Sequence, residues 1–299
     1  MATVISKTQT FDNTKVKASV LDVIDLMEIK SIENKLNKIF HEDKKLETPV
    51  FLFIKEDVIS KLAYFLAGYI KRPAAIGVAG ATASGKSSFA FDLIESIVNF
   101  QKKSNLYELV TRINADDYYF DRSDKVKEAG GIDNFAKCYD FDVPEAIDIK
   151  LLKRHIEQLL LGNSVKLPKY MMDGTCIRYD DYSKAYPRPV IISEGLFNLN
   201  DQIKDGFDFC IYVDVSNEAQ SHRWFERAKT RGLVGEAAQS VYNKAMTNAD
   251  IYVNPTVNNA DIVVNGEASR DDYRAVADKI LEIVQEFKFS QAFKKKNMV

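Results

Sequence analysis

Residues 76–90 read IGVAGATASGKSSFA, and this stretch decides the fold. It matches the pattern G-x-x-x-x-G-K-[ST], with a strand-like apolar run before it and a helix-like segment after it. Glycines let such a loop curl until successive backbone N–H groups point at phosphate oxygens, and the following helix adds its positive end. The sequence therefore predicts a phosphate-binding loop for a nucleoside triphosphate. A glycine turn that fits the pattern by chance is the alternative.

Two side chains of this loop have predicted roles. Lys86 is expected to lie against the β- and γ-phosphates, and the Ser87 hydroxyl is expected to bind Mg²⁺. The residues predicted to bind the nucleotide in this loop are Gly80, Ala81, Thr82, Ala83, Ser84, Gly85, Lys86, Ser87 and Ser88.

Short apolar runs after Pro73 each end in polar or glycine residues and are separated by helical stretches. This alternation predicts an α/β fold, a three-layer αβα sandwich of the P-loop NTPase type with a mostly parallel five-stranded sheet. In open sheets of this type ligands bind beyond the carboxyl ends of the strands, so chemistry is expected there. The five predicted strands are residues 75–79, 109–113, 190–192, 209–215 and 262–264.

Composition narrows the class of protein. The 299 residues carry a formal net charge of -2, so there is no global basic field and no nucleic-acid partner is predicted. The three cysteines lie far apart without a C-x-x-C pair, which argues against a zinc ribbon or a disulfide framework and favours the cytoplasm. No apolar run approaches the ~18 residues of a membrane span, so no membrane association is predicted.

Acidic residues follow two of the predicted strands. Asp116 and Asp117 end the second run, thirty positions after Lys86. A carboxylate there suits a base that accepts a proton from an attacking hydroxyl, and capping of the next segment is the alternative. Glu194 follows the third run, where a carboxylate can hold Mg²⁺ directly or through water, and an ordinary strand end is the alternative.

The ordered set of motifs resembles the uridine kinase and phosphoribulokinase superfamily of P-loop kinases. This resemblance implies transfer of the γ-phosphate of ATP to a hydroxyl of a small-molecule acceptor, with ATP and Mg²⁺ as cofactors. It implies that Asp116 is the general base, that Asp142 and Tyr118 contact the acceptor, and that Glu194 belongs to the metal shell. The motifs are GATASGKS at 80–87, DDYY at 116–119, FDVPEA at 141–146, LPKY at 167–170 and SEG at 193–195.

A helix-like segment with three arginines follows the fourth run. Arg223, Arg227 and Arg231 stand at i, i+4 and i+8, which puts them in one stripe of a helix. The resemblance implies a lid over about residues 221–258 whose arginines close over the triphosphate. Arg223 and Arg227 are expected to act in catalysis and Arg231 to bind the nucleotide, because planar guanidinium groups neutralise phosphoryl charge. Surface charge is the alternative.

The acceptor is less well defined than the family. In uridine kinases the Pro-x-Tyr turn continues into an Asp, an aromatic residue and a His that hold the pyrimidine, whereas here Tyr170 is followed by MMDGTCIR, without a histidine. Tyr170 and Arg178 are predicted to line the acceptor pocket. Nucleoside, sugar-type, sugar-acid and pantothenate acceptors stay open. A nucleotide-binding regulatory protein and an ATPase whose acceptor is water would also carry the phosphate loop.

Three segments are predicted along the chain. Residues 1–72 form an N-terminal helical extension, because apolar residues recur there at helical spacing and Lys71-Arg72-Pro73 is a helix stop. The kinase domain is predicted at residues 73–290 and a basic tail at 291–299. The extension is expected to supply packing or homo-oligomer contacts.

Overall fold

The computed structural model describes residues 23–297 except Lys71, Asn105 and Tyr107, with side chains described for residues 26–286 apart from those three. Residues 1–22 of the predicted extension and 298–299 of the predicted tail lie outside the described residues.

Helices and strands alternate over most of the chain. The helices in the described residues are α1 (Val23–Asp43), α2 (Glu56–Leu66), α3 (Lys86–Lys103), α4 (Ser123–Glu128), α5 (Ile132–Phe135), α6 (Ile149–Leu160), α7 (Asn217–Thr230), α8 (Gly235–Asn248) and α9 (Arg270–Asn297). The strands there are β1 (Phe51–Ile54), β2 (Ala74–Ala79), β3 (Val110–Asn114), β4 (Val165–Tyr170), β5 (Arg178–Ala185), β6 (Val190–Glu194), β7 (Phe209–Asp214) and β8 (Ile262–Asn265).

The central sheet has the order β1-β8-β7-β2-β6-β3. Its neighbouring strands from β8 to β3 pair in parallel, and β1 pairs antiparallel with β8. The α/β class and the mostly parallel sheet are confirmed. The strand count is wrong, since the described residues form six strands in this sheet and not five.

The sixth strand comes from the predicted helical extension. Helical spacing holds on either side of it, in α1 and α2, but the run FLFI at 51–54 is too short for a helix and pairs with the edge of the sheet. The carboxylate of Asp43 accepts the backbone N–H groups of Val50 (3.0 Å) and Phe51 (2.8 Å), which turns the chain from α1 into the strand. The extension is therefore part of the sheet and not purely helical.

Apolar residues pack on both faces of the sheet, giving the predicted three layers. One face buries α1, α2, α3 and α9 in a single cluster that includes Leu36, Ile97 and Ile192. The other face buries α6 and the segments that lead to the ligand side of the sheet, around Ile113, Ile156 and Ile191. This second layer carries most of the acceptor side described below.

A small second sheet extends from the second layer. Strands β4 and β5 form an antiparallel hairpin, and the turn predicted at residues 167–170 is wrong, because these residues lie in β4 and pair with β5. The first residues after β3 form a 3-10 turn, Ala115–Tyr118, on which β4 packs. The hairpin therefore places Tyr170 beside the residues that follow β3.

The predicted helix stop at residues 71–73 does not end a helix. Helix α2 ends at Leu66, and Arg72 instead makes two hydrogen bonds to the buried Asp208 carboxylate, at 2.8 and 2.6 Å. Lys71 lies outside the described residues. At the other end, α9 runs through position 290 to Asn297, so the predicted boundary before the basic tail falls inside a helix.

Candidate active site

The phosphate loop connects β2 to α3, as predicted. Gly80 begins it with φ +153°, and a Cβ there would lie 2.6 Å from both the Ser84 Oγ and the Val213 carbonyl oxygen, so no larger residue fits. Ala83 has φ +62°, a left-handed conformation that stores strain in the loop. The buried Ser84 hydroxyl has no hydrogen-bond partner among the described residues. Ser88 lies in the first turn of α3.

Lys86 begins α3 and faces three carboxylates. Burial lowers the pKa of its ammonium group, and the negative charges of Asp116, Glu194 and, more weakly, Asp142 act in the opposite direction. The guanidinium of Arg227 also acts on this pKa and lowers it. The structure thus brings the predicted lysine, base, metal-shell glutamate and lid arginine into one electrostatic group.

The two aspartates after β3 diverge. Asp116 faces Lys86, and burial raises the pKa of its carboxyl group although the lysine charge opposes this. Asp117 turns to the hairpin, where it pairs with Lys169 at 3.0 Å and accepts the Tyr170 backbone N–H at 3.4 Å. Neither caps the following helix α4, whose N-cap residue is Arg122, and the 3-10 turn that contains both is capped by Asn114, which accepts the N–H of Asp116. The capping interpretation is therefore wrong.

Glu194 ends β6 and is 3% exposed. Its Oε2 accepts the Ser87 hydroxyl at 2.9 Å, and its Oε1 accepts Arg112 of β3 at 2.6 Å. The Arg112 guanidinium lies over the Phe91 ring at 4.3 Å. Sequence reasoning missed Arg112, because only the register of β3 beside β6 brings it to the glutamate.

The donors Ser87 and Glu194 fit Mg²⁺. Both are hard oxygen donors, and Mg²⁺ typically takes one or two protein oxygens and completes its shell with substrate phosphates and water. Among the described residues no group of three or more His, Cys, Asp or Glu side chains is arranged to hold a metal ion. A metal here would therefore take most of its ligands from the nucleotide phosphates and from water.

Asp142 and two tyrosines form the acceptor side. Burial and the charge of Asp140 raise the pKa of the Asp142 carboxyl group, and Lys86 opposes them. Tyr119 is 6% exposed, and burial with the charges of Asp116 and Asp142 keeps its pKa well above the ordinary value. Its ring packs against Tyr170 at 5.2 Å between centroids. Sequence reasoning missed Tyr119, whose only signal was its place in the DDYY motif.

The remaining residues predicted to contact the acceptor differ in whether their side chains already have partners in the protein. The Tyr170 hydroxyl has no hydrogen-bonding nitrogen or oxygen partner among the described residues, and burial and the neighbouring Cys176 raise its pKa. Tyr118 instead bonds His155 Nδ1 at 2.8 Å within the core. Arg178 pairs with acidic groups on the same side as Tyr118, Asp148 at 3.5 Å and Asp180 at 2.8 Å. Tyr118 and Arg178 thus have partners away from Asp116 and Asp142.

Helix α7 lies against the phosphate loop. Arg227 donates to the Thr82 hydroxyl at 2.6 Å, and the charges of Asp142 and Asp116 act on its guanidinium. Arg223 donates to the carbonyl oxygens of Gly266 (2.9 Å) and Ser84 (3.4 Å), so it holds the loop backbone.

Helix α7 makes one further contact with the phosphate loop, and a third arginine follows its last residue. Gln220, missed by sequence reasoning, donates to the Thr82 carbonyl at 2.9 Å. Arg231 is exposed at the end of α7, and its charge lowers the pKa of Arg227.

Comparison with known proteins identifies the family. The profile of the "Phosphoribulokinase / Uridine kinase family" matches residues 75–271, more than half of the chain. The chain belongs to this family. Because this is a family of kinases, the protein is an ATP-dependent kinase that acts on a small molecule.

Two uridine kinases are among the proteins to which the chain is similar. A uridine kinase of Halobacterium salinarum is 33% identical over 154 residues, 51% of this chain and 61% of that protein. A uridine kinase of Clostridium perfringens is 31% identical over 180 residues, 58% of this chain and 77% of that protein. The phosphoribulokinase structure from Rhodobacter spheroides is 18% identical with a TM-score of 0.48, covering 65% of this chain and 70% of that one, too distant to support any inference.

No helix in the described part of the chain is long and apolar enough to cross a membrane.

Proposed function

We propose that this kinase transfers the γ-phosphate of ATP to a hydroxyl of an uncharged nucleoside or sugar. The observation that carries the proposal is the group formed by Lys86 after β2, Asp116 after β3 and Asp142 in the segment between α5 and α6. A lysine suited to phosphates and a partly buried carboxylate suited to accepting a hydroxyl proton lie together there.

The nucleotide side does the binding and the charge neutralisation. Loop amides and Lys86 hold the β- and γ-phosphates, and Arg227 reaches the same group from the lid. Ser87 and Glu194 are the residues that would hold Mg²⁺, which when bound neutralises charge on the transferred group. Arg223 keeps the loop in place through its carbonyl oxygens and is assigned no contact with the phosphates.

Asp116 accepts the proton of the attacking hydroxyl. Its raised pKa makes it a better base than an ordinary surface carboxylate, because proton transfer is most effective when the pKa of the base lies nearer the working pH. In this proposal Asp142 accepts hydrogen bonds from other hydroxyl groups of the acceptor, and Tyr119 offers a protonated hydroxyl and a ring face.

The acceptor side favours an uncharged polyhydroxyl compound. Asp116 and Asp142 would repel the phosphate of a sugar phosphate or the carboxylate of a sugar acid or pantothenate. Of the cations near them, Lys86 and Arg227 are assigned to ATP, and Lys244 is paired with Asp140. The relatives named uridine kinases support a nucleoside, and the missing histidine after Tyr170 leaves a plain sugar as the second candidate.

The test is to follow the labelled γ-phosphate of ATP with a panel of acceptors: uridine, cytidine, ribose, fructose, glycerate, pantothenate and ribulose 5-phosphate. We expect labelled product from a nucleoside or an uncharged sugar. Label released only as orthophosphate would indicate an ATPase, and nucleotide binding without any turnover would indicate a regulatory protein. Efficient use of an anionic acceptor would overturn the assignment of an uncharged one.

A further inference from the structure

Both ends of the lid are attached to the active site. The lid is defined here as α7 and α8, and the acceptor loop as residues 138–143. We propose that Asp140 is a positioning residue that joins the two, so that nucleotide bound under the lid also orders Asp142 for the acceptor. This inference rests on the proposed function only in assigning Asp142 to the acceptor.

Asp140 is bound from both sides. Its Oδ1 and Oδ2 each accept the Asn248 side-chain amide of α8 at 2.9 Å. The same Oδ1 accepts the backbone N–H of Asp142 at 3.1 Å. One carboxylate therefore connects the end of the lid to the backbone of the acceptor aspartate.

A cation strengthens the same junction. Lys244, one turn before Asn248 on α8, lies 3.4 Å from Asp140 Oδ2 and donates to the Tyr139 carbonyl oxygen at 3.4 Å. The amide partner Asn248 is only 8% exposed. A hydrogen bond between a charged group and a sheltered amide is stronger than one between two exposed groups. The junction of Asp140, Asn248 and Lys244 is called the clasp below.

The other end of the lid holds the nucleotide loop. Gln220 and Arg227 both bond Thr82, at 2.9 and 2.6 Å. The lid has its own small apolar cluster of Trp224, Ala228 and Ala238, into which Ala83 of the loop also packs. Because α7 and α8 share this cluster, order imposed at Thr82 by a nucleotide can reach Asn248 and then Asp140.

A purely structural contact makes a different prediction. If the clasp only adds stability, its removal lowers the melting temperature and leaves the response of the acceptor loop to nucleotide intact. If the clasp positions Asp142, its removal uncouples the two sites, and coupling between sites is typically a 5- to 150-fold effect on affinity. The two roles are therefore separable by a measurement that needs no acceptor.

The experiment is hydrogen exchange of the full chain with and without the non-hydrolysable analogue AMP-PNP and Mg²⁺. In the unsubstituted protein we expect the analogue to slow exchange both in residues 80–88 and, at least fivefold, in residues 138–143. In Asp140→Ala and Asn248→Ala the slowing at 80–88 should persist and that at 138–143 should vanish. The double variant with Asp140→Asn and Asn248→Asp exchanges the hydrogen-bond donor and acceptor and should restore the slowing at residues 138–143.

The matched control is Asp133→Ala, which removes an exposed carboxylate close by in the sequence and should behave as the unsubstituted protein. The proposal would be overturned if AMP-PNP did not slow hydrogen exchange at residues 138–143 in the unsubstituted protein, or if it still did so in Asp140→Ala. In steady-state assays at saturating ATP the clasp variants should raise the KM for the active acceptor at least fivefold, whereas the Kd for AMP-PNP measured without acceptor should change less than twofold. If the exchange result holds but no acceptor is phosphorylated, the proposed function fails and the clasp stands.

Discussion

At the scale of single residues, neighbours in the sequence have opposite roles. Asp116 lies in the group around Lys86, whereas Asp117 pairs with Lys169 and accepts a hydrogen bond from the Tyr170 backbone N–H. The position after a strand predicted only that one of the two aspartates would act as the general base, and the resemblance to the family selected Asp116. Neither could separate Tyr118 from Tyr119, because the direction of each side chain depends on the 3-10 turn that follows β3.

The pKa of Asp116 predicts a pH dependence. Because burial favours its neutral form, the carboxyl group binds its proton at a higher pH than the ordinary value of 3.8. The base is then lost as pH falls through this raised pKa, so the acidic limb of kcat/KM should lie above the ordinary carboxyl value and belong jointly to Asp116 and the similarly raised Asp142.

The check is a pH profile of kcat/KM for the unsubstituted protein and for Asp117→Asn. The charge of Asp117 raises the pKa of Asp116, so its removal should move the acidic limb to lower pH. An acidic limb at or below the ordinary carboxyl value in the unsubstituted protein, or a limb that moves to higher pH in the variant, would contradict a catalytic base with a raised pKa.

At the scale of elements, segments with a fixed local pattern were predictable. The loop motif located the junction of β2 and α3, and the apolar runs located β3, β6, β7 and β8. The strand β1 and the hairpin were not predicted, because β1 has four residues and β5 is mostly exposed, so neither has a clear pattern of its own. Their pairing comes from distant partners in the sequence.

The contact between the end of β8 and the phosphate loop gives a prediction for Gly266. A Cβ there would lie 2.2 Å from the Ser84 carbonyl oxygen and 2.7 Å from that of Asp214, so backbone atoms must move. We expect Gly266→Ala to weaken ATP binding at least tenfold and to cost about 1–3 kcal/mol of stability. Calorimetric titration with AMP-PNP and a thermal melt measure the two effects.

The matched control is Gly206→Ala. The nearest atom to a Cβ at that position is Ile156 Cγ2 at 4.0 Å, so the substitution meets no close contact. Its ATP affinity should stay within about twofold of the unsubstituted protein. Equal nucleotide binding by the Gly266 and Gly206 variants would mean that the loop does not depend on its contact with β8.

At the scale of the whole molecule, the parts predicted as separate are joined. The first described helix, strand β1 and α2 share a core with α3, β7 and α9, so the N-terminal segment completes the sheet that positions the active site. Sequence could not show this, because the apolar residues of α1 are spaced for a helix whatever they pack against. The catalytic motifs were predictable for the opposite reason, since phosphate binding demands particular residues at fixed spacing.

The central claim is that the hydroxyl deprotonated by Asp116 receives the phosphate held at Lys86. The most direct measurement compares transfer of labelled γ-phosphate from ATP to the active acceptor in the unsubstituted protein, Asp116→Asn and Asp117→Asn. We predict a loss of at least ~10²-fold for Asp116→Asn with unchanged AMP-PNP affinity, and turnover within about threefold of the unsubstituted protein for Asp117→Asn. Full acceptor-dependent transfer by the Asp116 variant, or an equal loss in both variants, would contradict the claim.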